Sequence, residues 1–157
     1  MNIRLLVVGK TDAQEIKTLI DGYCKRLRHY VKFEMVEIPD IKNTKNLSEK
    51  EQKEKEGMAI LKNLKPAETL ILLDERGTQY HSIAFSSFLQ KKMNSGVKSL
   101  VFVVGGPYGF DENVIAKSTG SISLSKMTFS HQMVRLFFVE QLYRAFTILR
   151  NEPYHHQ

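Results

Sequence analysis

The chain has 157 residues, 42% of them hydrophobic, one cysteine (Cys24), a net charge of +6 and a pI of about 9.4. That length sets an expectation of one domain over residues 1–157, and the apolar content suffices for a packed core. A lone cysteine excludes a disulfide framework and a four-cysteine zinc site and points to a reducing compartment, while the positive charge favours anionic partners, nucleic acid first.

The N-terminus, MNIRLLVVGK, carries only a short apolar run, too brief for a secretory signal. No stretch approaches the roughly 18 apolar residues of a membrane span, so a soluble, cytoplasmic protein is expected. Residues 3–8 read as a buried strand ended by Gly9. Thr11 and Gln14 have capping-box spacing, and Ile16, Leu19, Ile20, Tyr23 and Leu27 recur at helical spacing, which predicts a helix over 12–28. Val31, Phe33 and Met35 alternate with Lys32 and Glu34, a second strand running to Pro39.

Residues 40–56 are nearly all polar. Ser48 and Glu51 form another capping-box pattern, and the helix they open should run to about Lys65. Its first half lacks an apolar stripe and reads as a solvated face or as a mobile segment over a site. Lys42, Lys45, Lys50, Lys53 and Lys55 are largely balanced by glutamates, so a phosphate-binding role competes with simple solvation. A third strand covers Thr69–Leu73, stopped by Asp74-Glu75-Arg76-Gly77. Ala84, Phe85, Phe88, Leu89 and Met93 mark a helix closed by Gly96. Leu100–Val104 form a fourth strand, Asp111 caps a short helix to Lys117, Ile122 and Leu124 lie in a fifth strand, and residues 131–150 form the last helix. The alternation βαβαβαβ(α)βα predicts an α/β fold with a mostly parallel sheet and helices on both faces. Ligands of such sheets bind beyond the carboxyl ends of the strands, here Leu73-Asp74, Gly105-Gly106 and Leu124-Ser125.

Those ends hold the chemistry. Gly105-Gly106-Pro107-Tyr108-Gly109 is either a ligand-binding turn or a tight connection. There is no G-x-x-x-x-G-K-[ST], and GKTDAQ stands where a dinucleotide fingerprint would follow the first strand. Ser125-Lys126-Met127-Thr128 leads to the last helix, with Thr128 and Ser130 free to cap it or to meet a ligand. His131 and Arg135 lie four apart on one helix face, as a base and an anion holder or as structural residues. The segment MVRLFFV is apolar nearly all round, which calls for cover on more than one side, such as a second subunit. The tail, Asn151-Glu152-Pro153-Tyr154-His155-His156, is a frayed end or a stacking surface for an unstacked base. Too few metal ligands assemble to form a site.

Taken together, VGK, LLDERG, VFVVGGPYGF, SLSKMTFSHQMVRLFFVEQLYRAF and the terminal NEPYH resemble the ribosomal large subunit methyltransferase H family, within the SPOUT methyltransferases. The likeness runs from Asn2 to the tail, no departure removes a motif, and residues 40–56 are its least recognisable part. The resemblance implies an α/β-knot, with a trefoil knot in the C-terminal part of the sheet, and a homodimer. It implies S-adenosyl-L-methionine bound in the knot and methylation of N3 of a pseudouridine in the helix-69 loop of 23S rRNA, in assembled ribosomes, without metal or membrane. Carried over, the cofactor contacts are Leu73, Gly105, Leu124, Ser125, Lys126, Met127, Thr128 and Phe129. The catalytic candidates are His131, Arg135, Tyr154 and His155, with Arg135 and His155 as electrostatic helpers, the general base unassigned, and the tail expected to close over the site. A non-catalytic RNA-binding module and a flavodoxin-like nucleotide protein are the competing readings. The glycine loop follows the fourth strand rather than the first, which disfavours the latter.

Overall fold

The computed structural model describes residues 1–156. Five strands form one sheet, all pairs parallel, in the order β2-β1-β4-β3-β5. The strands are β1 (Asn2–Val8), β2 (Lys32–Ile38), β3 (Thr69–Gln79), β4 (Ser99–Val104) and β5 (Ser121–Ser123). Helices α1 (Gln14–Leu27), α2 (Glu49–Lys62), α3 (Ser82–Asn94), α4 (Glu112–Lys117) and α5 (His131–Leu149) alternate with them, and a 3₁₀ turn covers Thr44–Asn46.

Because β1 and β4 are central, their side chains are buried on both faces, hence the unbroken runs Leu5–Val8 and Leu100–Val104. One face packs Ile3, Leu5, Phe102 and Val104 against Ile20 and Leu27 of α1, Phe85 and Leu89 of α3, and Phe138, Leu142 and Phe146 of α5. The other packs Leu6, Val8, Val101 and Val103 against Ile60 of α2 and Phe110 and Val114 by α4. Helices therefore cover both faces, as the alternation predicts.

Three local expectations are corrected. The Thr11–Gln14 capping box does not form: α1 starts at Gln14, and the Thr11 hydroxyl accepts from Arg135 Nη1 at 2.9 Å. The free amides of Asp12 and Ala13 are met instead by Gln132 Oε1 of α5, at 3.1 and 3.0 Å. Strand β3 does not stop at Leu73. Both Leu73 and Thr78 pair with Ile122, so residues 74–77 loop out of the ladder before the strand resumes. That return brings Gly77 onto the β5 backbone, where an added Cβ would lie 2.7 Å from the Ile122 nitrogen. Strand β5 ends at Ser123, which leaves Leu124 in the following loop. The expected box at the start of α2 is present: Ser48 Oγ accepts from the Glu51 amide, and the Glu51 carboxylate accepts from the Ser48 amide. Most of the first half of α2 is exposed.

Candidate active site

The carboxyl ends of β3, β4 and β5 open into a cavity of about 650 Å³, within the ordinary range for a small-molecule site. Three connections wall it: Leu73–Arg76 after the first half of β3, Gly105–Phe110 after β4, and Leu124–Ser130 between β5 and α5. Of the eight cofactor candidates, Leu73, Gly105, Leu124, Ser125, Met127, Thr128 and Phe129 line this cavity, and Lys126 is exposed outside its lining.

Side chains brace each wall. Asp74 holds Arg76 in a fork, Oδ1 accepting from Nε and Oδ2 from Nη2, both at 3.1 Å. Those hydrogen bonds, against the opposing effect of partial burial, keep the Asp74 carboxyl below its usual range. The Thr128 hydroxyl donates to Glu75 Oε2 at 3.1 Å, tying the third wall to the first. Ser125 Oγ accepts from the Met127 amide, and the Ser123 hydroxyl donates to the Ser125 carbonyl. Ser130 caps α5 by accepting from the Met133 amide. Of the two hydroxyls read as cap or ligand contact, Ser130 is the cap and Thr128 the inter-wall tie.

His131, exposed at the first turn of α5, lines the cavity; Arg135 does not. Arg135 is fully buried, donating from Nη1 to Thr11 and from Nη2 to the Val8 carbonyl at 2.7 Å. The end of β1 needs a donor there, and the guanidinium supplies it. Burial pulls Arg135 below the usual arginine range, opposed by the Glu37, Asp40 and Asp12 carboxylates.

Tyr154 and His155 also stand apart from the cavity within one chain. Tyr154 Oη lies 3.1 Å from Glu140 Oε1 and 3.2 Å from Tyr23 Oη, while His155 Nδ1 lies 3.4 Å from Arg144 Nη1. Burial, then the Tyr23 hydroxyl and Glu140, push the Tyr154 phenol well above its usual range. Arg144, unmarked in the sequence reading, is the hub: Nη2 donates to Glu140 Oε1 at 2.6 Å and the guanidinium covers the Tyr154 ring at 4.7 Å. Its only signal in the sequence was an i,i+4 spacing from Glu140, too common to single it out. Arg144 lies thirteen helical steps beyond His131, roughly 20 Å of rise, so one chain holds a cavity towards one end of α5 and an aromatic–histidine–arginine cluster towards the other.

A family described as "Predicted SPOUT methyltransferase" matches residues 1–155. The chain is 66% identical to the Ribosomal RNA large subunit methyltransferase H of Flavobacterium johnsoniae, over 157 residues and the whole of both chains. It is 61% identical to the protein of that name from Parabacteroides distasonis, again over the whole of both. Among solved structures, a probable methylase family protein from Haemophilus influenzae Rd KW20 matches with a TM-score of 0.52 at 14% identity, covering 99% of this chain and 71% of that one, a likeness of fold.

Proposed function

From the premise that the chain belongs to the SPOUT methyltransferases and is an rRNA methyltransferase of the large subunit methyltransferase H family, we propose that it methylates N3 of a pseudouridine in the helix-69 loop of 23S rRNA. The proposed methyl donor is S-adenosyl-L-methionine and the substrate is the assembled ribosome in the cytoplasm. Among the described residues no helix is long and apolar enough to cross a membrane and no metal-binding cluster occurs.

The observation that carries the donor assignment is the convergence of three parallel strand ends on one cavity that a glycine loop lines. The fit is physical. A nucleoside base needs close main-chain approach, and Gly105 and Gly106 provide it; the cavity is large enough and apolar at Leu73, Val104 and Ile122. S-adenosyl-L-methionine would supply an already activated methyl on sulfonium. The protein's own contribution is alignment, which concentrates the target nitrogen in line with the methyl. The walls 73–76, 105–110 and 124–130 would hold the donor, and Arg76 and His131 at the rim would face the RNA.

The acceptor side is assigned to the Tyr154, His155 and Arg144 cluster of a second copy. Since that cluster begins roughly 15 Å along α5 from Val134, the last α5 residue lining its own cavity, a homodimer lets the tail of one copy cover the cavity of the other. Exposed Met127, Tyr108 and Phe137 by the cavity and α5 are apolar surface that such a partner would cover. A trefoil knot in the C-terminal part of the sheet is proposed with it; the outward excursion of residues 74–77 and the close approach of Gly77 to the β5 backbone support that reading.

The test is transfer of labelled methyl from S-adenosyl-L-methionine to intact ribosomes lacking the modification and, in parallel, to naked 23S rRNA. Label on one pseudouridine, in ribosomes only, is expected. No label on either acceptor, from protein that binds the donor, would overturn the substrate assignment.

A further inference from the structure

Helix α2 is strongly polar, yet two consecutive residues of it, Glu56 and Gly57, are buried against the segment 105–111. Glu56 is 4% exposed. Its Oε1 accepts from Gln52 Nε2 at 2.9 Å, and its enclosed Oε2 has no hydrogen-bond partner among the described residues. The carboxyl occupies the space a side chain at Gly106 would need: a Cβ added there would lie 2.5 Å from Glu56 Cδ. The next residue, Gly57, lies against Asp111, where an added Cβ would lie 2.6 Å from Cγ. Asp111 in turn caps α4 by accepting from the Val114 amide at 3.1 Å. Two neighbouring residues of α2 thus meet both ends of the segment 105–111, which lines the cavity with Gly105–Phe110; Glu56 itself does not line it.

We propose that Glu56 is a positioning residue for the donor-binding loop: its carboxyl fills the space left by Gly106 and, with Gly57 against Asp111, fixes the shape in which residues 105–110 wall the cavity. The inference rests on reading the cavity as the S-adenosyl-L-methionine site. An unpartnered carboxylate oxygen in this position is costly when ionised. Burial pushes Glu56 above the usual carboxylate range; the Gln52 hydrogen bond opposes that push and the Asp40 carboxylate adds to it. The charge that adds to the push is Asp40, from the segment after β2; Asp111 lies against the next residue of the helix, Gly57. A group raised in the docked arrangement stabilises that arrangement below its pKa and stops doing so as pH rises through it. Donor affinity therefore falls as Glu56 ionises.

The experiment measures S-adenosylhomocysteine affinity by calorimetry between about pH 5 and pH 9, with thermal melts confirming that each variant is folded. Glu56→Gln keeps the shape and removes the ionisation. It is expected within about twofold of wild type at low pH, without the wild-type loss at high pH; the ligand's own amino group titrates in both proteins and cancels. Glu56→Ala should bind about tenfold more weakly, a difference of about 1.4 kcal/mol. Gly106→Ala should also bind weakly, and Gly106→Ala combined with Glu56→Ala should bind better than Gly106→Ala alone, because the clash is gone. Parallel pH profiles for wild type and Glu56→Gln, or additive effects in the double variant, would overturn the proposal. Wild type that binds no S-adenosylhomocysteine would overturn the donor reading instead. The loop is then read without ligand: faster amide exchange at 105–110 in Glu56→Ala supports the positioning role, and unchanged exchange overturns it.

Discussion

Arg135, wholly inside the protein, donates from Nη2 to the carbonyl oxygen of Val8 at 2.7 Å and so ties the start of α5 to the end of β1. Its other contact, Thr11, sits in the connection from β1 to α1. One buried cation thus fixes three elements.

Replacing it should act on stability before chemistry. Arg135→Ala removes two charge-assisted hydrogen bonds and leaves the Val8 oxygen without its guanidinium donor, a cost of about 3 kcal/mol or more. Urea unfolding checks this. Donor affinity per folded molecule should change little; a fully stable Arg135→Ala protein with no methyl transfer would instead put Arg135 in the reaction.

Gly77 is the second structural pivot. Backbone, which cannot swing aside, lies where its Cβ would be. Gly77→Ala should cost about 1–3 kcal/mol and Gly77→Val more, with donor affinity falling alongside because β3, β5 and the cavity wall shift together. Melting temperature paired with calorimetry reads both.

The Arg144 cluster predicts a division of labour between copies. Arg144→Met should lower transfer to ribosomes by about a hundredfold or more, the usual scale for losing a positioned donor, with donor affinity near wild type. Deleting residues 151–157 should do the same. Mixing tail-deleted protein with a Gly105→Arg protein, whose cavity is filled but whose tail is intact, should restore transfer that neither shows alone. Failure to complement, in mixtures shown to exchange subunits, counts against the shared site.

Glu68 makes the stability pH-dependent. Burial alone would raise its carboxyl, but hydrogen bonds from the Lys65 amide, Arg4 and Ser99, together with the Arg4 charge, bring it below its usual value. A depressed folded pKa contributes stability above the unfolded value, near pH 4.3. That contribution is lost as pH falls through the folded value. Melting of wild type and Glu68→Gln should therefore differ at neutral pH and converge in strong acid. Equal melting temperatures at neutral pH would remove Glu68 from the account.

Elements set by periodicity were legible: α1, α3, α5 and the apolar runs of β1 and β4 announce themselves because every burial direction is written in residue type. What the sequence concealed depends on partners distant in the chain. Thr11 has the spacing of a capping residue, but its hydroxyl is engaged by Arg135, 124 positions on. DERG has the polarity of a strand stop, yet β3 resumes after it because Gly77 admits the β5 backbone. At the site, residue type and the parallel sheet marked the glycine loop and the strand end Leu124-Ser125, resemblance to a family extended this to the 124–129 run, and these residues line the cavity, Lys126 apart. Arg135 looked like a site cation because it lies four residues from His131; only the neighbouring β1 shows that it turns inward. Glu56 stood in a charge run that reads as solvated, and nothing local distinguishes the one glutamate that faces a glycine.

Strand β1 is first in the chain and lies between β2 and β4 in the sheet. Its second edge gains a partner only when residues 99–104 have been made, about two thirds of the way through synthesis, and parallel pairings of that sequence separation form slowly. Until then a hydrophobic strand with an open hydrogen-bonding edge is on offer to any neighbouring chain. Yield of this protein therefore depends on how long the nascent N-terminal segment waits, and slower synthesis of its middle third, which ends with β4, lengthens the window for aggregation without altering the finished molecule.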